Sequence, residues 1–364
     1  MRLPPVDRRW LQNTDELFAA RIPRGHEPVS VIATSGSTGE PITIRRTHIT
    51  QLVWLANVLR EHRWLKSDFS VPMASIRANF VAPKLLPGWG PPADFVVRTG
   101  PFLGLPVAMD AELLFGHLAA FRPGSLVVYP TTLAALLDVV AARGSCLADN
   151  PIIRTIGETV SPALRERTMA HFGVRLRDCY SSQEAGHIAI QCPDGDCYHV
   201  AAEALIVEVL REDGTACEAG KTGEVVITDL HNHATPIIRY AIGDHAEVAA
   251  PCSCGRGAPA LKRILGHERN LVLMPDGPRH WPLFGFRQFR ELAPIQQFQL
   301  VQHTPERIEV RLVAEREVTV SEEAALSAHM AQTLGYPFQF DFRYFTGRLP
   351  GSQSGKFKEF LRQF

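Results

Sequence analysis

From Leu126 onward, apolar runs and stretches of helical spacing take turns along the chain. Leu126 to Tyr129 predicts a strand, Leu133 to Arg143 (LAALLDVVAAR) a helix and Ile152 to Ile156 a further strand. Ser161 to Phe172 (SPALRERTMAHF) predicts another helix, because a serine hydroxyl caps free amides and the proline just inside has a backbone angle suited to the first turn. Gly173 ends it, and Val174 to Arg177 leads into Tyr180-Ser181-Ser182-Gln183-Glu184-Ala185-Gly186 at the end of a strand. Strands alternating with helices predict a mixed α/β domain, with ligand loops at the strand ends.

The pattern changes twice further on. Leu205 to Leu210, Gly223 to Thr228 and His245 to Ala249 read as successive strands of a β-rich subdomain, with a turn at Asp213-Gly214. Beyond Gly266, Gln297 to Gln302 and Arg307 to Val313 alternate like a hairpin, Ser321 to Leu334 is helical and Phe338 to Tyr344 alternates again. The expected architecture is a large N-terminal mixed α/β domain, residues 1–267, containing the β-rich subdomain, followed by a small α+β domain, residues 268–364.

The chain has 364 residues with Lys+Arg 38 and Asp+Glu 38, so no overall field favours nucleic acid or an anionic membrane. Nothing approaches the roughly 18 consecutive apolar residues of a membrane span. The opening MRLPPVDRRWLQ carries charges and prolines where a signal peptide is apolar, so a cytoplasmic location is expected. Seven cysteines, an odd number, fit a reducing compartment better than a disulfide scaffold.

Thr34-Ser35-Gly36-Ser37-Thr38-Gly39 lies between an apolar run, Val29 to Ala33, and a β-like run, Pro41 to Ile44. Glycines let a backbone approach a phosphate and turn successive amides toward it, while the hydroxyls add donors; a Ser/Gly-rich turn is the plainer alternative. No Gly-Lys-Ser/Thr follows, so this is not a Walker A loop.

Four more segments follow in order: Gly157-Glu158-Thr159, the Tyr180 motif, Thr228 to Asp244 (TDLHNHATPIIRYAIGD) and Ser354-Gly355-Lys356. With the Thr34 loop they resemble the adenylate-forming superfamily of acyl-CoA synthetases and adenylation domains. The phenylacetate-CoA ligase branch is suggested by Ile237 to Asp244, followed by Cys252-Ser253-Cys254-Gly255-Arg256 and Arg263 to Gly266. Relatives in that branch carry a longer segment before the phosphate loop, which here begins near residue 34.

The resemblance implies ATP-dependent activation of a small carboxylic acid, expected to be aromatic, as its acyl-adenylate, then transfer to the thiol of CoA. A phosphopantetheine arm on an acyl or peptidyl carrier protein is the alternative acceptor, and a nucleotide-binding homologue without turnover is a third reading. A homodimer is compatible with the family; no nucleic acid or membrane partner is expected. Thr34 to Gly39 would hold the β- and γ-phosphates, although Glu40 stands where the family often has lysine. Glu184 would coordinate magnesium. Tyr180, with Ser181 beside it, offers a flat face to adenine, and Gly157 to Thr159 line the same pocket. Asp244 would accept hydrogen bonds from the ribose diol. Arg239 has three candidate partners, Asp244, Glu184 or a phosphate, with a structural ion pair equally open. Lys356 would reach the α-phosphate and the acid, and the small C-terminal domain would be a lid. At its hinge, Gly266-His267-Glu268-Arg269-Asn270 replaces the usual Gly-Arg-x-Asp-Asp.

Cys192, His199, Cys252 and Cys254 supply three thiolates and an imidazole, the donor set of a closed structural zinc site, and some relatives place a Cys, a His and a CxC here. Cys197 competes as a ligand. His187, His231, His233 and His245 show no ligand spacing among themselves. Candidate walls for the acid are Ser75 to Phe80, Gly88 to Phe95 and Ser181 to Gly186; Trp89 and Phe95 suit an aryl acid, although Gly-Trp-Gly-Pro-Pro is also an ordinary turn.

Overall fold

A computed structural model of the chain describes residues 3–12, 18–19, 21–33, 42–144, 151–267, 272–275, 279–280, 286–347, 349 and 360–364. Thr34 to Glu40, Glu268 to Asn270 and Ser354-Gly355-Lys356 lie outside the described residues, and only the backbone of His267 is described. The chain divides into two compact units, Met1–Val160 with Arg167–Gly266, and Ser161–Glu166 with His267–Phe364.

In the first unit, helix α1 (Arg8–Gln12) precedes an antiparallel pair, β1 (Val29–Ala33) and β2 (Thr43–Thr47), and Thr47 then caps α2 (His48–Trp64) by accepting from the Thr50 amide. The strands that follow are β3 (Met73–Arg77), β4 (Lys84–Leu86), β5 (Phe102–Pro106), β6 (Ser125–Val128), β7 (Ile152–Ile156), β8 (Arg177–Ser182), β9 (Gly186–Gln191), β10 (Tyr198–Val200), β11 (Leu205–Leu210), β12 (Thr222–Asp229), β13 (Tyr240–Val248) and β14 (Ala260–His267). They build one sheet in the order β11-β12-β13-β14-β10-β9-β8-β7-β6-β3-β5-β4. Strands β5, β3, β6, β7 and β8 run parallel, and helical crossovers join β5 to β6, β6 to β7 and β7 to β8. The connecting helices are α3 (Ala111–Phe121), α4 (Pro130–Arg143) and α5 (Pro162–Phe172). Asp110 caps α3, Pro130 opens α4 before Gly144 ends it at φ 59°, and the Ser161 hydroxyl accepts from the Leu164 amide as the α5 sequence predicts.

The register places chemistry on one face of the parallel strands. Ser75 lies opposite Gly104 and Val127, Val127 opposite Arg154, and Ile156 opposite Cys179. Partners across a parallel pair and residues two apart along a strand share a face, so Ser75, Arg77, Val127, Arg154, Ile156 and Cys179 point the same way. Helix α2 brings Glu61 and His62 onto that face.

The remaining strands form the predicted β-rich region, with one correction. The expected strand His245 to Ala249 begins at Tyr240, so Asp244 lies inside β13. Glu224 pairs with His245 but Val226 with Ala241, leaving Ile242 to Asp244 bulged opposite Val225, with Gly243 at φ 82°. Val6 hydrogen-bonds across Arg239 and Ala241, fastening the N-terminal segment to β13.

The second unit contains the pair β15 (Val272–Leu273) and β16 (Arg279–His280), α6 (Phe286–Leu292), the hairpin β17 (Ile295–Thr304) and β18 (Arg307–Ala314), α7 (Val320–Leu334), β19 (Gln339–Tyr344) and β20 (Phe360–Arg362). Its main sheet runs β19-β18-β17-β20. Thr319 and Glu322 close a reciprocal capping box on α7. The core joins Phe289, Phe298, Leu300, Ile308, Leu326 and Met330. The expected α/β class, a large sheet-rich domain and a small C-terminal one, is the class observed. No helix among the described residues is long and apolar enough to cross a membrane.

Candidate active site and metal centre

The bulge in β13 and the end of β8 bring two of the expected residues together. Tyr180 donates its hydroxyl hydrogen bond to Asp244 Oδ2 over 2.7 Å. Burial, then the Asp244 carboxylate, pushes the Tyr180 phenol well above its ordinary range, so it stays a donor. Its ring belongs to the apolar core with Ile188, Ile237 and Tyr240.

Glu184 is not a solvated loop carboxylate. It is buried, with Arg8 Nη1 3.9 Å away. The loop that carries it is fixed by Arg46, fully buried, which donates to the Gln183 carbonyl and stacks over Trp54 at 4.3 Å. A recess behind Ala185 and Gly186, lined by Arg46, Thr50, Trp54, Asn57, Asp229 and His231, has space for little more than a water molecule.

Other expected residues have structural partners. Arg239 pairs with neither Asp244 nor Glu184. Its Nε lies 2.9 Å from Glu208 Oε2, it donates to the Leu3 carbonyl, and its backbone is left-handed at φ 47°. Of the readings left open, the partners present here are those of a structural ion pair, with the Leu3 contact tying the N-terminal segment to the residue that precedes β13. The Glu158 carboxylate accepts from the Thr131 amide and hydroxyl, both at 2.9 Å. It serves the free amides at the start of α4. Trp89 packs against His62 and Phe69 and donates to the Val71 carbonyl over 3.0 Å, while Phe95 is 68% exposed. Gly-Trp-Gly-Pro-Pro forms a turn closed by Thr99 and Asp94.

Sequence reasoning missed the polar cluster under α2. Arg154 lies 3.4 Å from Glu61 and 3.2 Å from His62 Nε2, and His187 is 3.7 Å from Glu61. Burial works to raise the Glu61 carboxyl, but Arg154 and His187 prevail and hold it at about 2; burial, then Arg154, depresses His62 to about 3. The available signal was Arg154, a charged residue inside the β7 run Ile-Ile-Arg-Thr-Ile.

The cysteine cluster assembles because β10 pairs with β9 on one side and β14 on the other. Cys192 follows β9, His199 lies within β10, and Cys252 and Cys254 occupy the loop before β14. Cys192 Sγ is 3.8 Å from Cys252 Sγ, and Cys254 Sγ is 3.2 Å from His199 Nε2. The donor atoms of these four residues all lie within 4.8 Å of one another, a group that does not include Cys197. Burial raises Cys254, but the Arg256 amide and guanidinium outweigh it and lower the thiol to about 6. Burial, then Cys252, pushes Cys197 up to about 12. Arg256 stands 3.7 Å from Cys192 Sγ and 5.0 Å above the Trp64 ring, held by Asp194 at 2.7 Å.

This fold is that of the adenylate-forming acyl- and aryl-CoA ligases. The chain superposes on a 2-hydroxyisobutyryl-CoA ligase solved in its postadenylation state with an acyl-AMP, with a TM-score of 0.74 at 16% identity, covering 100% of this chain and 80% of that one. An anthranilate CoA ligase with anthranoyl-AMP gives 0.69 at 16% identity over 91% and 66%, and a benzoate CoA ligase from Burkholderia xenovorans 0.64 at 18% over 93% and 70%. In sequence it resembles phenylacetate-coenzyme A ligase of Thermus thermophilus, 24% identical over 42% of this chain and 36% of the relative, and Protein CapK of Staphylococcus aureus, 23% identical over 43% and 34%. The chain thus aligns with about a third of the length of these curated relatives. No family model matches. The resemblance to the phenylacetate-CoA ligase branch read from the motifs recurs in these likenesses.

Proposed function

We propose that the chain is an AMP-forming acid–thiol ligase, activating a small aromatic carboxylic acid with ATP and passing the acyl group to CoA. The observation that supports it most is the Tyr180–Asp244 hydrogen bond beside buried Glu184, on a fold shared with ligases captured with acyl-adenylates.

In the first half-reaction a carboxylate oxygen of the acid bonds to the α-phosphorus of ATP, and pyrophosphate leaves with the electrons of the broken P–O bond. In the second, a thiolate sulfur bonds to the acyl carbon and AMP leaves. Asp244 would hold the ribose through its carboxylate, with Tyr180 fixing the carboxylate's orientation, and Thr34 to Gly39 would bind the phosphates. Glu184 would hold magnesium, which supplies charge neutralisation at the phosphates when bound. Lys356, on the lid, would neutralise charge as the adenylate forms.

Cys192, His199, Cys252 and Cys254 fit a structural zinc. A tetrahedral centre with Zn–S of about 2.3 Å sets sulfurs about 3.8 Å apart, and Cys192 and Cys252 have that separation. Three thiolates around a dication leave one negative charge, which Arg256 is placed to offset.

Acid-dependent exchange of pyrophosphate into ATP tests the reading across benzoic, hydroxybenzoic, phenylacetic and short aliphatic acids. Exchange with one class, lost in Lys356→Ala, is the expected result. Exchange unchanged in that variant would refute the role given to Lys356, and no exchange from folded protein would refute adenylation of these acids.

A further inference from the structure

We propose that Arg77 and Ser75 form a carboxylate-binding subsite for the acid at the carboxyl end of β3. This rests on the acid–thiol ligase reading. Strand β3 lies between β5 and β6 in the parallel part of the sheet, and ligand crevices of such sheets open at the carboxyl ends of the strands. Arg77 is the last residue of β3.

Its guanidinium is half-buried and donates to Ser75 Oγ over 3.0 Å; among the described residues no carboxylate pairs with it. Glu61, the carboxylate of the same face, is already held by Arg154 at 3.4 Å and faces His187 as well. Glu61 is thus taken by Arg154, which leaves Arg77 without an ion pair among the described residues, and a desolvated cation without an anion is unfavourable. A planar fork of donors suits a carboxylate in particular. Tyr129, whose phenol burial keeps protonated, is close enough to feel the Arg77 charge and adds a neutral hydroxyl.

The surroundings suit the apolar body of an acid. Gly104 lies opposite Ser75, and a side chain there would meet the Phe80 ring 2.5 Å from its Cβ. Phe80 in turn lies 6.1 Å from Phe102, so an aromatic wall stands beside the cation. The bound group is a carboxylate, supplied either as the single carboxylate of a monoacid or as the second carboxylate of a diacid.

The experiment is titration calorimetry of the full chain, without ATP, against benzoate, phenylacetate, phthalate and succinate, repeated with Arg77→Gln and Arg77→Lys. Losing a charge-assisted pair weakens binding by about 10- to 100-fold, so Arg77→Gln is expected to raise Kd by that factor, with Arg77→Lys between it and the wild type. Where exchange activity is present, KM for the acid rises in parallel while KM for ATP stays unchanged. A diacid preference that Arg77→Gln abolishes identifies a second carboxylate; equal loss for mono- and diacids identifies the reacting one. Acid binding within twofold of wild type in an equally stable Arg77→Gln overturns the proposal, as does a wild-type protein that binds no acid of the panel. Arg77-dependent binding without pyrophosphate exchange would sustain the subsite and refute the ligase reading instead.

Discussion

Acid should unfold the first unit in two stages, and the cause is the pair of groups that α2 lays against β7. His62 titrates in the unfolded chain near 6.5 but in the folded protein at about 3, because burial and Arg154 disfavour its cation. Glu61 titrates near 4.5 unfolded and at about 2 folded. Both folded values are depressed, so the unfolded state takes up protons first and stability falls as pH drops. Between pH 6.5 and 4.5 the loss approaches one proton's worth, about 1 kcal/mol per pH unit, from His62 alone, and below 4.5 Glu61 makes the fall steeper. By pH 3.5 the sum is about 5 kcal/mol, comparable to the whole stability of many domains. Urea unfolding followed by circular dichroism from pH 7.5 to 3.5 measures it. His62→Gln is expected to remove the upper stage only. Glu61→Gln leaves Arg154 buried without its counter-ion and is expected to cost about 3–5 kcal/mol at pH 7. A flat profile between pH 6.5 and 4.5, or a Glu61→Gln cost below about 1 kcal/mol, would refute the reasoning.

Other outcomes follow from the same contacts. Purified protein should contain zinc equimolar with the chain, measured by atomic emission; Cys254→Ser should lose it and Cys197→Ser keep it, and a zinc-free unit about 2 kcal/mol less stable would melt about 4–8 °C lower. Arg239→Ala should destabilise by about 1–2 kcal/mol in urea, since the Glu208 pair and the Leu3 contact are lost, while KM for ATP stays within about twofold. Tyr180→Phe removes one hydrogen bond that orients Asp244 and should raise KM for ATP by about tenfold in the exchange assay, with a stability change of about 1 kcal/mol.

The local periodicities and breakers of the sequence determined a good deal on their own. Strand β6, helix α4, strand β7 and helix α5 were legible because an apolar run, a proline or serine start and a glycine stop act within a few residues. The order of the motifs was enough to suggest the adenylate-forming pattern, and that resemblance, with the close cysteine pairs, pointed to Cys192, His199, Cys252 and Cys254 as a candidate metal site while leaving Cys197 open. Tertiary structure decided the partners. Arg239 could be read toward a carboxylate but not toward Glu208, because β11 reaches it only through the pairing of β11, β12 and β13, and its Leu3 contact comes from a segment more than two hundred residues earlier. The bulge that sets Asp244 against Tyr180 depends on the register of β12 with β13, and the Arg154–Glu61 pair on which face α2 covers. Cys197 and Cys192 stand in the same short loop, yet strand pairing at β10 gathers only one of them with His199, Cys252 and Cys254. Short-range steric and capping preferences are written in neighbouring residues, whereas charge pairing is settled by whichever groups the packed sheet brings within a few ångströms.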